Sequence, residues 1–275
     1  MKASIINFIN QMSIFIFMTF PNLKNKHAEE AMFSPKDFLG YHKKIGRVLK
    51  IKPPEGVVIY YSRKDPSAFL KGYTFEKHDA MGASFYFIKE TKGKVGLVGG
   101  FGIGAPVSCT VLEEMISWGV KRFITVGDAG GLQKSLKTGD MIVCDKAIRD
   151  EGTSHHYAKH SKYSHASKDI TEQIKKALDE QGQKYLVGTS WTIDAPYRET
   201  VAEARQYQKE GVLTVEMEAS AMFAVAKYRN VELGAIFTVS DSLAEMEWKP
   251  QFHAKKLSDK KPAMFKTAIN VLSKD

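Results

Sequence analysis

The sequence predicts an α/β fold in one domain, with helices on both faces of a central sheet. Short apolar runs with the length of buried strands alternate with longer segments whose apolar residues recur at helical spacing. The chain has 275 residues, of which 43% are hydrophobic, and this is enough for one large core. No linker-like stretch divides residues 20–275, so we expect one domain there, preceded by an extension over residues 1–19.

The first predicted elements are strands that lead into a glycine-rich turn. Residues 57–61 form a short apolar run, and residues 74–87 contain one or two strands broken by a glycine. A strand over 94–99 runs into the turn, and a helix over about 106–118 follows it. Pro106 suits the first turn of that helix, where its missing N–H is not needed.

The rest of the chain continues the alternation of strands and helices. The predicted elements are a strand over 122–126, a glycine turn over 127–131, a strand over 141–144, a polar loop through His165, a helix over 168–181, a strand over 185–192, a helix over 198–209, a strand over 233–239 and a helix over 254–272. In open α/β sheets the carboxyl ends of the strands line the ligand crevice, so site residues are expected there.

Composition and charge narrow the choice of partners. The formal net charge is +9, but the lysines are scattered and no basic run carries interleaved aromatic residues, so we expect neither nucleic acid nor membrane as a partner. The apolar stretch over residues 5–20 is too short and too polar for a transmembrane helix. Cys109 and Cys144 lie in apolar stretches, which predicts two buried free thiols in a reducing, cytoplasmic compartment.

Two stretches carry candidate catalytic carboxylates. Glu216 and Glu218 stand where an apolar run gives way to a helix-like run, and Asp241 follows the strand predicted over 233–239. Carboxylates in one crevice can divide their work, because one can hold hydroxyls as an anion while another gives a proton. The alternative for Glu216 and Glu218 is that they are ordinary acids at a helix start, where the helix dipole favours them.

Two glycine clusters follow predicted strands. Residues 99–104 have some likeness to a dinucleotide-binding fingerprint, but no acidic residue ends the next strand at the required spacing, so NAD is not expected. Residues 127–131 offer backbone amides that can hold an anion or a hydroxyl, and the alternative is a plain tight turn. Asp128 within this cluster would oppose a bound anion.

Two further segments are rich in candidate contacts. The histidines at 155, 156, 160 and 165 match no HExxH pattern and no cysteine joins them, so we expect an exposed loop with substrate contacts instead of a metal site. Residues 191–197 offer flat apolar surface beside polar groups, which suits a base-sized ring, although core aromatic residues would give the same pattern.

Taken together, these motifs resemble the nucleoside phosphorylases of the uridine phosphorylase and hexameric purine nucleoside phosphorylase type. Nucleosidases acting on methylthioadenosine and adenosylhomocysteine share that fold. The motifs are, in chain order, Gly-Phe-Gly-Ile-Gly-Ala-Pro at 100–106, Gly-Asp-Ala-Gly-Gly at 127–131, Gly139-Asp140, Val-Glu-Met-Glu-Ala at 215–219 and Val-Ser-Asp at 239–241. The resemblance covers roughly residues 20–272 and implies a central mixed sheet flanked by helices.

The resemblance also implies roles for single residues. Glu218 would bind the ribose hydroxyls, Met217 would pack on the sugar, and Asp241 would protonate N7 of a departing purine. The base would be surrounded by Val215, Glu216, Ile193, Pro196, Tyr197 and Arg198. The remaining predicted substrate-binding residues are Gly102, Thr125, Asp128, Ala129, Gly130 and Arg149. Asp241 favours a purine, whereas the stretch 197–199 suits a pyrimidine edge, so uridine stays an alternative.

The phosphate side departs from the family pattern. Phosphorylases carry Gly-Asp-Pro-x-Arg after the first strand, and here no arginine stands two residues past Pro66. Thr125 takes the place of an expected arginine, and Asp128 that of an expected serine or threonine. The possible substitutes are Arg63, Lys64 and Arg149. We expect a phosphorylase with phosphate as co-substrate and no other cofactor, with a nucleosidase using water or an inactive nucleoside-binding relative as alternatives.

Assembly is a further implication of the resemblance. It implies a homodimer or a trimer of dimers, with sites completed across a dimer interface by a residue such as His27 or Arg63. Phe33, Phe38 and Tyr41, near the start of the domain, would supply apolar interface.

Overall fold

The computed structural model describes Leu23 and residues 25–46, 51–62, 64–80 and 82–274. The predicted extension over residues 1–19 lies outside these ranges, as does Arg63. Within the described ranges, no helix is long and apolar enough to cross a membrane.

The strands of the described residues form one mixed sheet. They are β1 Gly56–Tyr60, β2 Phe75–Ala80, β3 Ala83–Ile88, β4 Val95–Gly99, β5 Arg122–Gly131, β6 Met141–Asp150, β7 Tyr163–His165, β8 Tyr185–Ile193, β9 Thr214–Glu216, β10 Glu232–Ser242 and β11 Lys249–Pro250. Their order is β11-β10-β6-β8-β9-β5-β1-β4-β3-β2, with β7 beside β6. Because β10 also pairs with β5, strands β5, β10, β6, β8 and β9 close into a ring.

Helices cover both faces of this sheet. They are α1 Pro35–Lys44, α2 Ala105–Trp118, α3 Lys168–Glu180, α4 Val201–Lys209, α5 Ala219–Tyr228 and α6 Lys255–Ser273. Successive residues of a strand point to opposite faces. Phe123 of β5 accordingly packs in the same cluster as residues of α2 and α5, and Ile124 packs with residues of α3 and α6. The predicted α/β class, with helices on both faces, is confirmed.

The predicted glycine turn over 127–131 is wrong, because these residues continue β5. Strand β10 pairs with β5 from Glu232 opposite Arg122 to Ser242 opposite Gly131, so the glycine-rich segment has backbone partners along its length. Strand β10 likewise runs past the predicted end at residue 239. Asp241 therefore lies inside a strand, at a register shift between Val239 and Asp241.

Other predicted boundaries move by smaller amounts. Strand β6 extends to Asp150 because β8 pairs with it along its length, so the predicted polar loop begins later. The helix predicted over 198–209 begins at Val201, after a 3-10 turn at Pro196–Arg198. Thr200 caps this helix, since its hydroxyl accepts from the backbone N–H of Glu203 and the Glu203 carboxylate accepts from the backbone N–H of Thr200.

Candidate active site

A cavity of about 780 Å³ opens at the carboxyl ends of the central strands. Its walls come from β5, β9 and β10, from the segments that follow β1 and β8, and from α6. The predicted site residues that line it are Val215, Glu216, Met217, Glu218, Asp241, Asp128, Ala129, Gly130, Pro196 and Tyr197. This is the position at which open α/β sheets hold ligands.

A gap in the sheet forms one wall of the cavity. Strand β1 pairs with β5 only as far as Tyr60 opposite Val126, and β9 joins the same side of β5 only at Gly130. Among the described residues no strand covers that edge of residues 127–129. Tyr61 stands beside it, because a Cβ added at Gly127 would lie 3.2 Å from Cδ2 of the tyrosine ring. Backbone polar groups at such an edge are open to a ligand.

The remaining predicted site residues do not line the cavity. Thr125 is fully buried beneath it, and its Oγ1 lies 2.7 Å from the hydroxyl oxygen of Tyr61. Ile193 is buried in the sheet, Arg198 is exposed on the 3-10 turn, and Gly102 lies two residues before a backbone group that contacts Glu218.

The Arg149 side chain contacts the loop that follows β6. Its guanidinium donates to Oγ of Ser154 at 2.8 Å, to the carbonyl of Lys159 at 2.6 Å and to Oγ of Ser161 at 2.9 Å. A further bond reaches the carbonyl of Ala158 at 3.2 Å. The Arg149 side chain ties down the loop that follows β6, and its possible role in replacing a phosphate-binding arginine stays a prediction.

Glu216 holds the start of α5 in place. Its Oε2 accepts from the backbone N–H groups of Glu218 at 2.8 Å and Ala219 at 2.7 Å, while the hydroxyl of Thr192 donates to Oε1. Burial raises the pKa of Glu216 even though these donors oppose the rise. These contacts fit the alternative of an acid at a helix start, and they position Glu218, two residues further on.

Glu218 is the carboxyl that this arrangement presents to the cavity. It is 7% exposed, and its Oε1 accepts from the backbone N–H of Gly104 at 2.5 Å. Gly104 has φ 105°, a conformation that residues with a side chain rarely adopt, so a glycine is needed at this contact. Burial, followed by the charge of Glu216, raises the pKa of Glu218 to about 8.

Asp241 lines the same cavity from β10, at the register shift in that strand. Its Oδ1 accepts from the Ser240 hydroxyl at 2.6 Å and its Oδ2 from Nε1 of Trp248 at 2.9 Å. Gly130 leaves room for this carboxylate, since a Cβ there would lie 3.3 Å from Oδ2. Irregularities in strand pairing commonly direct a side chain into a site, and this one lies where Ser240 and Asp241 hydrogen-bond to each other.

Two charged residues of the cavity, Glu199 and Lys261, are not among the predicted site residues. Glu199 follows the 3-10 turn, and burial, with a smaller contribution from Asp241, raises its pKa to about 7. Lys261 reaches the cavity from α6, and its Nζ lies 2.8 Å from Oδ2 of Asp128. No sequence motif marks Lys261. Glu199 belongs to the stretch 197–199, which the sequence suggests only as a contact for a pyrimidine edge.

The histidine-rich loop forms no metal cluster. Across the described ranges, no group of three or more histidine, cysteine, aspartate or glutamate side chains is arranged to hold a metal ion. The rings of His155 and His160 instead stack, with their centroids 6.3 Å apart.

Comparison with known proteins identifies the family. Residues 61–270 match the sequence model of the phosphorylase superfamily, and the chain belongs to that superfamily. It is 32% identical over 142 residues to a guanosine phosphorylase of Halorubrum lacusprofundi, covering 52% of this chain and 59% of that protein. It is 34% identical over 156 residues to a DeoD-type purine nucleoside phosphorylase of Bacillus cereus, covering 55% and 66%. The matched region spans less than two thirds of either relative.

Solved structures share the fold. A uridine phosphorylase from Vibrio fischeri superposes with a TM-score of 0.69 at 23% identity, over 82% of this chain and 94% of that one. A purine nucleoside phosphorylase from Toxoplasma gondii in complex with immucillin-H gives 0.69 at 20% identity, over 82% and 92%. The predicted resemblance to nucleoside phosphorylases and the predicted fold are both confirmed.

Proposed function

We propose that the protein is a nucleoside phosphorylase. It cleaves the N-glycosidic bond of a nucleoside, with a purine favoured and uridine as an alternative base, and transfers the sugar to phosphate in nucleoside salvage. The observation that carries the proposal is the placement of Glu218 and Asp241 on two walls of one cavity. Membership of the phosphorylase superfamily and the likeness to a guanosine phosphorylase and a purine nucleoside phosphorylase support it.

The geometry supports a reaction through a sugar with positive charge. Glu218 accepts from the sugar hydroxyls and, once ionised, stabilises the charge that develops as the bond to the base breaks. Burial beside Glu216 makes this ionisation unfavourable in the empty site. A cationic sugar reverses that balance, so the interaction is stronger in the transition state than in the free enzyme.

The departing base needs a proton, and the carboxyl groups of Asp241 and Glu199 are the candidate donors. Both oxygens of Asp241 accept hydrogen bonds, from the Ser240 hydroxyl and from Nε1 of Trp248, and these bonds fix the carboxyl in the cavity where the base would lie. Glu199 lies in the same cavity with a pKa of about 7, so it carries a proton near neutral pH and can deliver it to the base directly or through Asp241. A positioned general acid contributes about 10²- to 10⁴-fold in rate.

Base release measured against phosphate concentration tests the proposal. Purine and pyrimidine nucleosides are incubated with the protein from zero phosphate upward. Saturable activation from zero supports phosphorolysis, and a rate independent of phosphate supports the nucleosidase. Nucleoside binding without any base release supports the inactive relative.

The nucleosidase is kept as second candidate because of two residues at the phosphate side. Asp128 is a carboxylate where an anion would bind, and Thr125 is not an arginine. A water nucleophile meets no repulsion from Asp128, whereas phosphate does.

We further propose that the protein is a cytoplasmic homo-oligomer built from dimers. Apolar side chains around α1 are exposed, with Met32 fully and Phe33 72% accessible, and Tyr41 is exposed on α1. Monomeric proteins rarely leave such a patch uncovered. Cys109 and Cys144 are free and buried, which suits a reducing compartment. Sedimentation of the active protein should give a dimer or a multiple of it, and a fully active monomer would contradict this.

A further inference from the structure

The cavity has an uneven distribution of charge. Five of its lining residues are carboxylic acids: Asp128, Glu199, Glu216, Glu218 and Asp241. Among the described residues that line it, Lys261 alone carries a positive charge at neutral pH. Among the described residues, Lys261 is therefore the cation that an anion in the cavity would meet.

Lys261 lies beside the segment of β5 that has an open edge. Its Nζ lies 2.8 Å from Oδ2 of Asp128, and Asp128 belongs to the segment 127–129 that no described strand covers on one side. About a quarter of the lysine side chain and a third of the aspartate side chain remain accessible, at 24% and 34%. The ammonium is thus reachable from the cavity and is not sealed into the core.

Two elements fix the position of Lys261. Helix α6 carries it, and Phe265 on the same helix stacks on Phe69 with ring centroids 5.4 Å apart. The ammonium lies 5.9 Å from the Phe69 ring centre, within reach of a cation–π interaction. Phe69 follows the 3-10 turn at Pro66–Ala68, so the lysine lies between β5 and the segment that follows β1.

We propose that Lys261 is a phosphate-binding cation of this protein, and that Asp128 holds its ammonium beside this segment of β5 when no phosphate is bound. The inference rests on the proposed phosphorolysis. It places the positive charge on α6 instead of on the strand and loop where the family pattern has arginines, at Thr125 and two residues past Pro66. Phosphate competes with Asp128 for the same ammonium, so the carboxylate weakens phosphate binding while it positions the lysine.

Two substitutions should act in opposite directions. Lys261→Gln removes the cation, and the Michaelis constant for phosphate should rise by about 10- to 100-fold, as expected for the loss of one hydrogen bond between charged groups. Asp128→Asn removes the competing carboxylate, and the same constant should fall by roughly 3- to 10-fold. The Michaelis constant for the nucleoside should stay within about threefold in both variants.

Matched variants separate this role from a structural one. Lys260→Gln changes the neighbouring lysine, which contacts Gln183 at 3.2 Å and does not line the cavity, and it should leave phosphate dependence unchanged. Lys261→Arg keeps the charge and should retain most of the phosphate affinity. Thermal unfolding of each variant shows whether it is folded under assay conditions.

Calorimetric titration with inorganic phosphate alone keeps the inference distinct from the proposed reaction. If wild-type protein binds phosphate, Lys261→Gln does not and Asp128→Asn binds more tightly, Lys261 is the cation even if no tested nucleoside is cleaved. If Lys261→Gln binds phosphate as wild type does, the inference is overturned even where phosphorolysis is observed. Wild-type protein that binds no phosphate, or variants that shift its affinity in the same direction, would overturn it as well.

Discussion

Replacing Glu218 with glutamine separates what this carboxyl does for stability from what it does for the reaction. In the folded protein the pKa of Glu218 is raised from 4.5 to about 8, mainly by burial and then by Glu216. A group that holds its proton more tightly when folded stabilises the fold fully below its unfolded pKa. That contribution is lost progressively as pH rises through about 8.

The size of this loss follows from the two pKa values. Each tenfold difference in proton affinity corresponds to about 1.4 kcal/mol, so wild-type protein loses about 3 kcal/mol by pH 7 and about 5 kcal/mol above pH 8. The introduced glutamine has no charge to desolvate, and its amide oxygen can still accept from the backbone N–H of Gly104. The Glu218→Gln variant should therefore be more stable than wild type at high pH by up to about 5 kcal/mol, or roughly 10 °C in melting temperature.

Activity should change in the opposite direction. Without the anion that stabilises the developing sugar cation, turnover should fall by about 10²- to 10³-fold. The assay combines base release with thermal unfolding followed by circular dichroism from pH 5 to 9, beside the control Glu247→Gln, whose side chain is 75% exposed. A glutamine variant with the same pH dependence of melting temperature as wild type would falsify the burial argument, and wild-type turnover would remove Glu218 from the reaction.

Two further substitutions test the carboxyl groups of Asp241 and Glu199. Asp241→Asn should reduce kcat/KM for purine nucleosides far more than for pyrimidine nucleosides, because only a purine offers N7 for protonation, and an equal loss on both would make Asp241 structural. Glu199 is protonated below its pKa of about 7, so purine cleavage by wild type should decline as pH rises through that value. Glu199→Gln should abolish that limb of the pH profile, and a limb that persists in the variant would assign it to another group.

Much of the fold could be predicted because it is encoded locally. Strands β1 and β4 are short apolar runs, and α2 has a proline in its first turn, where a proline is suited. The predicted turn over 127–131 failed because its strand conformation depends on β10, about a hundred residues further along the chain. Glycine composition indicates a turn only when no distant strand offers backbone partners.

The candidate site, like the fold, was predictable where neighbouring residues in the sequence determine it. The motif around Glu216 and Glu218 places two carboxyls at the start of a helix and in the cavity, but only the contacts reveal that Glu216 holds the start of α5 while Glu218 accepts from Gly104. Arg149 was proposed as a phosphate contact because of its charge, yet nearby serines and carbonyls occupy its guanidinium. Lys261 is one of many lysines in the sequence, and its partner Asp128 is 133 positions away, so no spacing rule could select it.

The crowding of acids in this cavity has a direct bearing on catalysis. Glu218 and Glu199 both have raised pKa values because burial and neighbouring carboxylates disfavour their ionised forms. Without a bound substrate, Glu218 and Glu199 therefore hold protons near neutral pH. The folded protein lacks the stability that ionised, solvated carboxylates would give it. A sugar that becomes cationic supplies the positive charge that stabilises ionised Glu218. The leaving base takes up the proton that Glu199 carries. The same clustering of acids that destabilises the empty protein at high pH thus favours the transition state over bound substrate, which is the requirement for acceleration of the chemical step.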